Sequence, residues 1–135
     1  MARKSSTSPL SAAEARGRLK DAQAYLELAE LGAASTSPAE RRVSGSNAIL
    51  AGIAAADAIC GLSLGERSSG DDHIQAAALL ERAVRPRTKT VTNFRRLVTD
   101  KTPIQYGVRP VSVADAAALL KWAKEIVADA VQRAR

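Results

Sequence analysis

The chain has 135 residues, a net charge of +6 and a single cysteine, Cys60. That length suits one domain with one continuous core, and the lone cysteine excludes an internal disulfide and points to a reducing, cytoplasmic setting. With 28 alanines against four aromatics, Tyr25, Phe94, Tyr106 and Trp122, the composition argues for an all-α protein with closely spaced helices.

Residues 1–10 are Ser/Thr/Pro-rich and basic, a composition expected of a disordered tail. No apolar run follows them, so they do not read as a secretory signal. The first helix is expected at Ser11, because Ser11-Ala-Ala-Glu14 is a capping box. Leu19, Ala22, Leu26 and Ala29 make its core face, Tyr25 and Leu28 widen it, and Gly32 suits the position just past its end.

A second capping box, Ser37-Pro-Ala-Glu40, has Pro at the first helical position, where its missing N–H costs nothing. The helix it opens should run to Leu64 and stop at Gly65. Its middle is apolar on nearly every side, as expected of the central helix of a bundle or of an oligomer interface. Gly45, Gly52 and Gly61 each cost about 1 kcal/mol relative to Ala in a helix, which points to close approach by another element. The longest apolar stretch, Ala48 to Cys60, is 13 residues and is broken by Asp57. It is too short and too polar to span a bilayer, so no membrane partner is expected.

The segment Arg67-Ser-Ser-Gly-Asp-Asp-His73 reads as a polar inter-helix loop. Asp71 or Asp72 caps a third helix that should run to about Val84, where Pro86 ends it. A short helix over Thr90–Asp100 is built on Val91, Phe94, Leu97 and Val98. Lys101–Val111 contains Pro103, Gly107 and Pro110 and reads as a loop. Ser112-Val-Ala-Asp115 caps the last helix, with Val113, Ala116, Leu120, Ala123, Val127 and Ala130 on its main face and Leu119, Trp122 and Ile126 beside it. The expected architecture is an up-down four-helix bundle with one additional short helix, a single domain over residues 11–135.

Few chemistries are compatible with these residues. One Cys and one His cannot make a zinc site, and no cofactor motif is present. There is no glycine-rich phosphate loop and no nucleophile elbow, and the Pro-containing loop after Phe94–Asp100 does not fit a helix-turn-helix. What remains is Arg67 and His73. Histidine is suited to proton transfer near neutral pH, and arginine holds phosphate with a planar fork of donors. His73 would sit in a first helical turn, which favours the neutral, base-competent ring. A phosphate bridging Arg67 and that helix start is one reading. The other is a fixed loop in which Asp71 or Asp72 bonds Arg67 or His73. Asp57, inside an apolar stretch, needs a partner. It is either an acid that orients a catalytic group or one half of a salt bridge.

Seven basic residues and one acid fall within residues 85–109, so this window carries the entire net charge of +6. Arg85, Arg87, Lys89, Arg95, Arg96 and Lys101 are the candidate nucleic-acid contacts, by phosphate neutralisation and counterion release. The alternative is a solvated, mobile basic loop.

Four stretches together carry a family resemblance: Leu26-Glu-Leu-Ala-Glu-Leu31, the alanine-rich Asn47 to Cys60, Asp72-His73 followed by Ile-Gln-Ala-Ala-Ala-Leu-Leu80, and Tyr106-Gly107 with Val111-Ser-Val-Ala-Asp-Ala116. Their order over residues 14–133 resembles the HEPN superfamily of small α-helical bundles. The resemblance implies a homodimer. It also implies RNA binding, metal-independent ribonuclease activity through an Arg…His pair, and a place in toxin–antitoxin or phage-defence systems, with an antitoxin as protein partner. Arg67 and His73, with five residues between them, fit the pair. In many catalytic members that pair lies within a helix near the end of the fold, a region that here offers Arg95, Arg96 and Tyr106 but no histidine. Two other functions stand beside this one: a non-catalytic homodimeric module that dimerises through the second helix and binds a partner protein, and a DNA-binding accessory protein that uses the basic window.

Overall fold

A computed structural model describes residues 6–70 and 72–135. In chain order the elements are strand β1 (Thr7–Pro9), helix α1 (Ala12–Gly32), helix α2 (Pro38–Leu64), strand β2 (Glu66–Ser68), and helices α3 (His73–Val84), α4 (Lys89–Thr99), α5 (Lys101–Tyr106) and α6 (Val113–Arg133). The chain is mainly helical, as its composition indicates.

Local capping sets the helix starts. Ser11 Oγ accepts from Glu14 N at 3.1 Å, and Glu14 Oε1 accepts from Ser11 N at 3.0 Å, so both halves of the first capping box form. At α2 only half of the expected box forms. Ser37 Oγ accepts from Glu40 N at 3.3 Å, while the Glu40 carboxylate accepts from Ser35 Oγ at 3.2 Å instead of reaching back. Gly65 closes α2 in the left-handed region, φ 71°, and donates its N–H to Gly61 O, a conformation that glycine adopts without a Cβ penalty. Asp72 Oδ1 accepts from Ile74 N and Gln75 N and opens α3. Ser112 Oγ accepts from Asp115 N and opens α6.

Helix α2 is the central element, in contact with α1, α3, α4, α5 and α6. Its small residues let these neighbours approach. A Cβ at Gly52 would lie 2.0 Å from Leu97 Cδ2 of α4, and one at Gly61 would lie 2.7 Å from both Ala15 Cβ and Leu10 Cδ2. At Gly52, then, α2 packs against α4 and α6 of its own fold. By length and composition α2 could cross a membrane, but 61% of its apolar window is buried inside the fold, as in a core helix.

Several expectations are corrected. Thr7–Pro9 was expected in a disordered tail and forms β1, paired antiparallel with β2 in the register Thr7↔Ser68, Ser8↔Arg67 and Pro9↔Glu66. The remaining tail residues, 1–5, lie outside the described residues, as does Asp71. Two flanking bonds, Leu10 N to Gly65 O (2.9 Å) and Ser69 N to Ser6 O (3.1 Å), extend the ribbon, and buried Leu10 anchors it. Lys101–Tyr106, expected as a loop, is helical. Pro103 sits in its first turn, where N–H groups have no intrahelical partner, so proline does not break it. Gly32 ends α1 as a helical residue, followed by Ala33 in the right-handed region rather than a left-handed cap. Leu28 (54% exposed) and Val113 (56% exposed) lie off the core; Leu119 and Ile126 are fully enclosed in α6, where Leu120 is half-buried.

Two adjacent arginines of α2 tie down the segment before α6. Arg41 Nε donates to Val111 O (2.7 Å) and its Nη1 to Ser35 O (2.8 Å). Arg42 donates to the carbonyls of Pro103, Ile104 and Arg109. Arginine can serve several carbonyls at once because its donors lie in a fixed fork.

Candidate functional site

Asp57 stands three turns into the apolar middle of α2, with its side chain 12% exposed. Arg18 of α1 crosses to it, Nη2 to Oδ2 3.1 Å, and also holds Asp21 through Nη1 at 3.2 Å. Arg67 of β2 approaches the same Asp57 oxygen at 3.9 Å. Burial raises the Asp57 carboxyl above the usual aspartate range, and Arg18 and then Arg67 oppose that rise.

These residues line a cavity of about 220 Å³ together with Ser68, His73 and Lys101. Its apolar wall comes from Ile53, Ala56, Leu79 and Phe94. Three successive elements, α2, β2 and α3, thus bring Asp57, Arg67 and His73 to one place, where Arg18 of α1 and Lys101 of α5 join them. Asp57 is partnered, as a salt-bridged acid must be, and Arg67 lies on a strand rather than in a free loop. His73 is the first residue of α3, half-buried, directly after the capping Asp72. Among the described residues, Arg18, Arg67 and Lys101 stand against the one carboxylate of Asp57, and this excess of positive charge suits an anionic ligand.

Cys60 also borders the cavity, but burial, with the Asp57 and Glu66 carboxylates adding to it, pushes its thiol up to about 12. At neutral pH it is a protonated, inert thiol and not a nucleophile.

The basic window is divided by the fold. Lys101 joins the cavity. Lys89 Nζ pairs with Glu125 Oε1 at 3.5 Å, and the Arg96 guanidinium stands over the Trp122 ring, 5.9 Å from its centroid. Arg95 is exposed on α4, and Arg85 and Arg87 are exposed between α3 and α4. None of these five lines the cavity.

Sequence reasoning missed Arg18 and Ser68. A signal for Arg18 was available. Ala15, Ala22 and Ala29 are buried at heptad spacing, and Arg18 sits three residues after Ala15, on the edge of that stripe. A cation at such a position needs an acid across the interface. Ser68 carried no comparable signal, because its placement depends on pairing with Thr7.

No family model, no curated protein and no solved structure matches this chain.

Proposed function

We propose that the protein is a HEPN-like, RNA-binding, metal-independent ribonuclease of a toxin–antitoxin or phage-defence system, cytoplasmic and homodimeric. In this reading α1, α2, α3 and α6 correspond to the up-down four-helix bundle of that superfamily, with α4 and α5 as short additions. The observation that carries the reading is the convergence of Arg67, His73, Asp57 and Lys101 on one positively charged cavity.

The chemistry follows from those groups. His73 takes the proton of a ribose 2′-hydroxyl, whose oxygen attacks the adjacent phosphorus. The 2′-O–P bond forms and the P–O5′ bond breaks, leaving a cyclic phosphate and a 5′-oxygen that takes a proton from water, while His73 returns the 2′-hydroxyl proton to solvent. Arg67 and Lys101 neutralise the charge that builds on the phosphate oxygens. Arg85, Arg87, Lys89, Arg95 and Arg96 hold the flanking RNA backbone.

The test is cleavage of labelled total RNA, with chelator present, by wild type beside His73→Ala. Cleavage by wild type alone supports the reading. Equal cleavage by both removes His73 from the chemistry.

A second reading, a non-catalytic homodimeric module, has an observation of its own. Leu28, Leu31 and Val43, 54%, 82% and 61% exposed, border one apolar groove between the end of α1 and the start of α2. Absence of RNA cleavage by wild type, with a dimer that dissociates in Leu31→Glu, favours this module.

A further inference from the structure

Two buried side-chain atoms, Arg18 Nε and Ser68 Oγ, have no hydrogen-bond partner among the described residues. They belong to α1 and β2, yet both residues line the cavity that holds Arg67 and His73. A buried polar group left unsatisfied costs about 1–3 kcal/mol. Each such group therefore calls for a reason, and two in one positively charged cavity call for a common one.

The surroundings narrow the occupant. Arg18 cannot turn away, because Asp57 and Asp21 hold its two terminal nitrogens at 3.1 and 3.2 Å. The backbone of Ser68 is fixed beside the cavity, because β2 is paired along its length with β1. Both unsatisfied groups can donate, and Arg67 and Lys101 add further donors that carry charge. A set of converging donors with excess positive charge fits a ligand that only accepts, namely an oxyanion. Beside these donors the lining turns apolar at Ile53, Leu79 and Phe94, which suits the sugar or base attached to a phosphate rather than a bare ion.

We infer that Arg18 and Ser68 contact a phosphate of the RNA backbone together with Arg67 and Lys101, and that Asp57 is a positioning residue that holds the two guanidinium groups in place. The identity of the ligand as RNA rests on the function proposed above. The donor set itself rests on the geometry. Asp57 needs no proton-transfer role, since its contacts with Arg18 and Arg67 already account for its place in an apolar helix.

The experiment measures binding of a 2′-O-methyl RNA oligonucleotide, which cannot be cleaved through its 2′-oxygen, by fluorescence anisotropy with chelator present. Wild type, Ser68→Ala and Arg18→Lys are compared. Arg18→Lys keeps a cation beside Asp57 and loses the Nε–H donor. Thermal stabilisation by inorganic phosphate is followed in parallel. The expected result is weaker oligonucleotide binding, about threefold for Ser68→Ala and about tenfold for Arg18→Lys, with reduced phosphate stabilisation in both, as for loss of one neutral and one charge-assisted hydrogen bond. Wild-type affinity in both folded variants would overturn the inference and leave the cavity to water. If Arg18→Lys does not fold, Ser68→Ala decides alone, since its hydroxyl makes no hydrogen bond within the described fold. Stabilisation by phosphate without oligonucleotide binding would overturn the assignment to RNA. Oligonucleotide binding that both variants weaken, with no cleavage of unmodified RNA by wild type, would remove the ribonuclease and leave the donor set standing. Unchanged binding with intact cleavage would do the reverse.

Discussion

Arg18 of α1 places its Nη2 3.1 Å from Oδ2 of Asp57 on α2, across the interface that joins the first two helices. Arg67 comes to within 3.9 Å of the same oxygen from β2. One carboxylate thus couples the core helix, the first helix and the short ribbon, and it does so on the wall of the cavity. A partly buried pair of this kind is poor evidence for stability, because desolvation offsets the attraction. Its value lies in fixing where two guanidinium groups stand.

That balance has a pH signature. Burial raises the folded-state pKa of Asp57 more than the two arginines lower it. A raised carboxyl contributes stability that is fully present below its unfolded value and is lost as pH rises through the folded value. The stability advantage of wild type over Asp57→Asn should therefore shrink as pH climbs above the ordinary aspartate range. Urea midpoints of both proteins at several pH values between acid and neutral check this. An advantage that grew with pH would mean that the arginines outweigh burial.

Gly52 has no room for a side chain, since its Cβ would overlap buried Leu97 Cδ2 and then meet Ile126 Cδ1 at 3.5 Å. Gly52→Leu should destabilise the fold by about 1–3 kcal/mol through overpacking. The loss should be the same at low and high protein concentration, because the clash is within one chain. Chemical denaturation at two concentrations separates this from an interface effect, which would depend on concentration.

Cys60 should resist thiol reagents in the native protein at pH 8 and react at once in denaturant. Its thiol is held near 12 by burial, with nearby carboxylates in support, so almost no thiolate exists in the folded state. The matching stability term is present below the usual thiol value and is lost as pH rises toward 12. Rapid native labelling would contradict the enclosed position of this residue.

The ribbon of β1 and β2 holds Arg67 and Ser68 in place. Removing residues 1–9 deletes the partner strand but keeps Leu10, whose side chain packs on Gly61. The helical circular dichroism should persist, while the amides of β2 exchange with solvent at least tenfold faster, an increment of about 1.4 kcal/mol in local opening. Hydrogen exchange by mass spectrometry reads this directly. Unchanged protection would show that β2 is held by α2 and α3 alone.

Arg95 is exposed, and Arg96 stacks over Trp122 with its charge still at the surface. Replacing both with Glu should weaken nucleic-acid binding across all sequences and flatten its dependence on salt by about one unit of slope for each phosphate that is no longer neutralised. Binding titrations from low to moderate salt test it. An unaltered slope would take α4 out of the proposed interface.

The residues that start and stop the helices act on their own neighbours in the chain. Ser11, Ser37, Asp72 and Ser112 each bond an amide within the next turn, and Gly65 supplies a positive φ. Such contacts are legible in the sequence because spacing alone determines them. The alanine and glycine run of α2 likewise announced close packing, though whether its neighbours came from the same chain or another was decided only by the fold. The pairing of Thr7–Pro9 with Glu66–Ser68 was not legible, since two three-residue segments carry no periodicity and the match depends on α1 and α2 folding back on each other. Helix α5 was hidden by Pro103, which signals a break except in a first turn. The candidate site stood half in view. Its chemistry was visible in the residue types Asp57, Arg67 and His73. Lys101 was legible as one charge of the basic window and Arg18 as a cation at the edge of the alanine stripe of α1, but that both join Ser68 at this cavity was not, because residues from separate elements meet only after packing has placed those elements side by side.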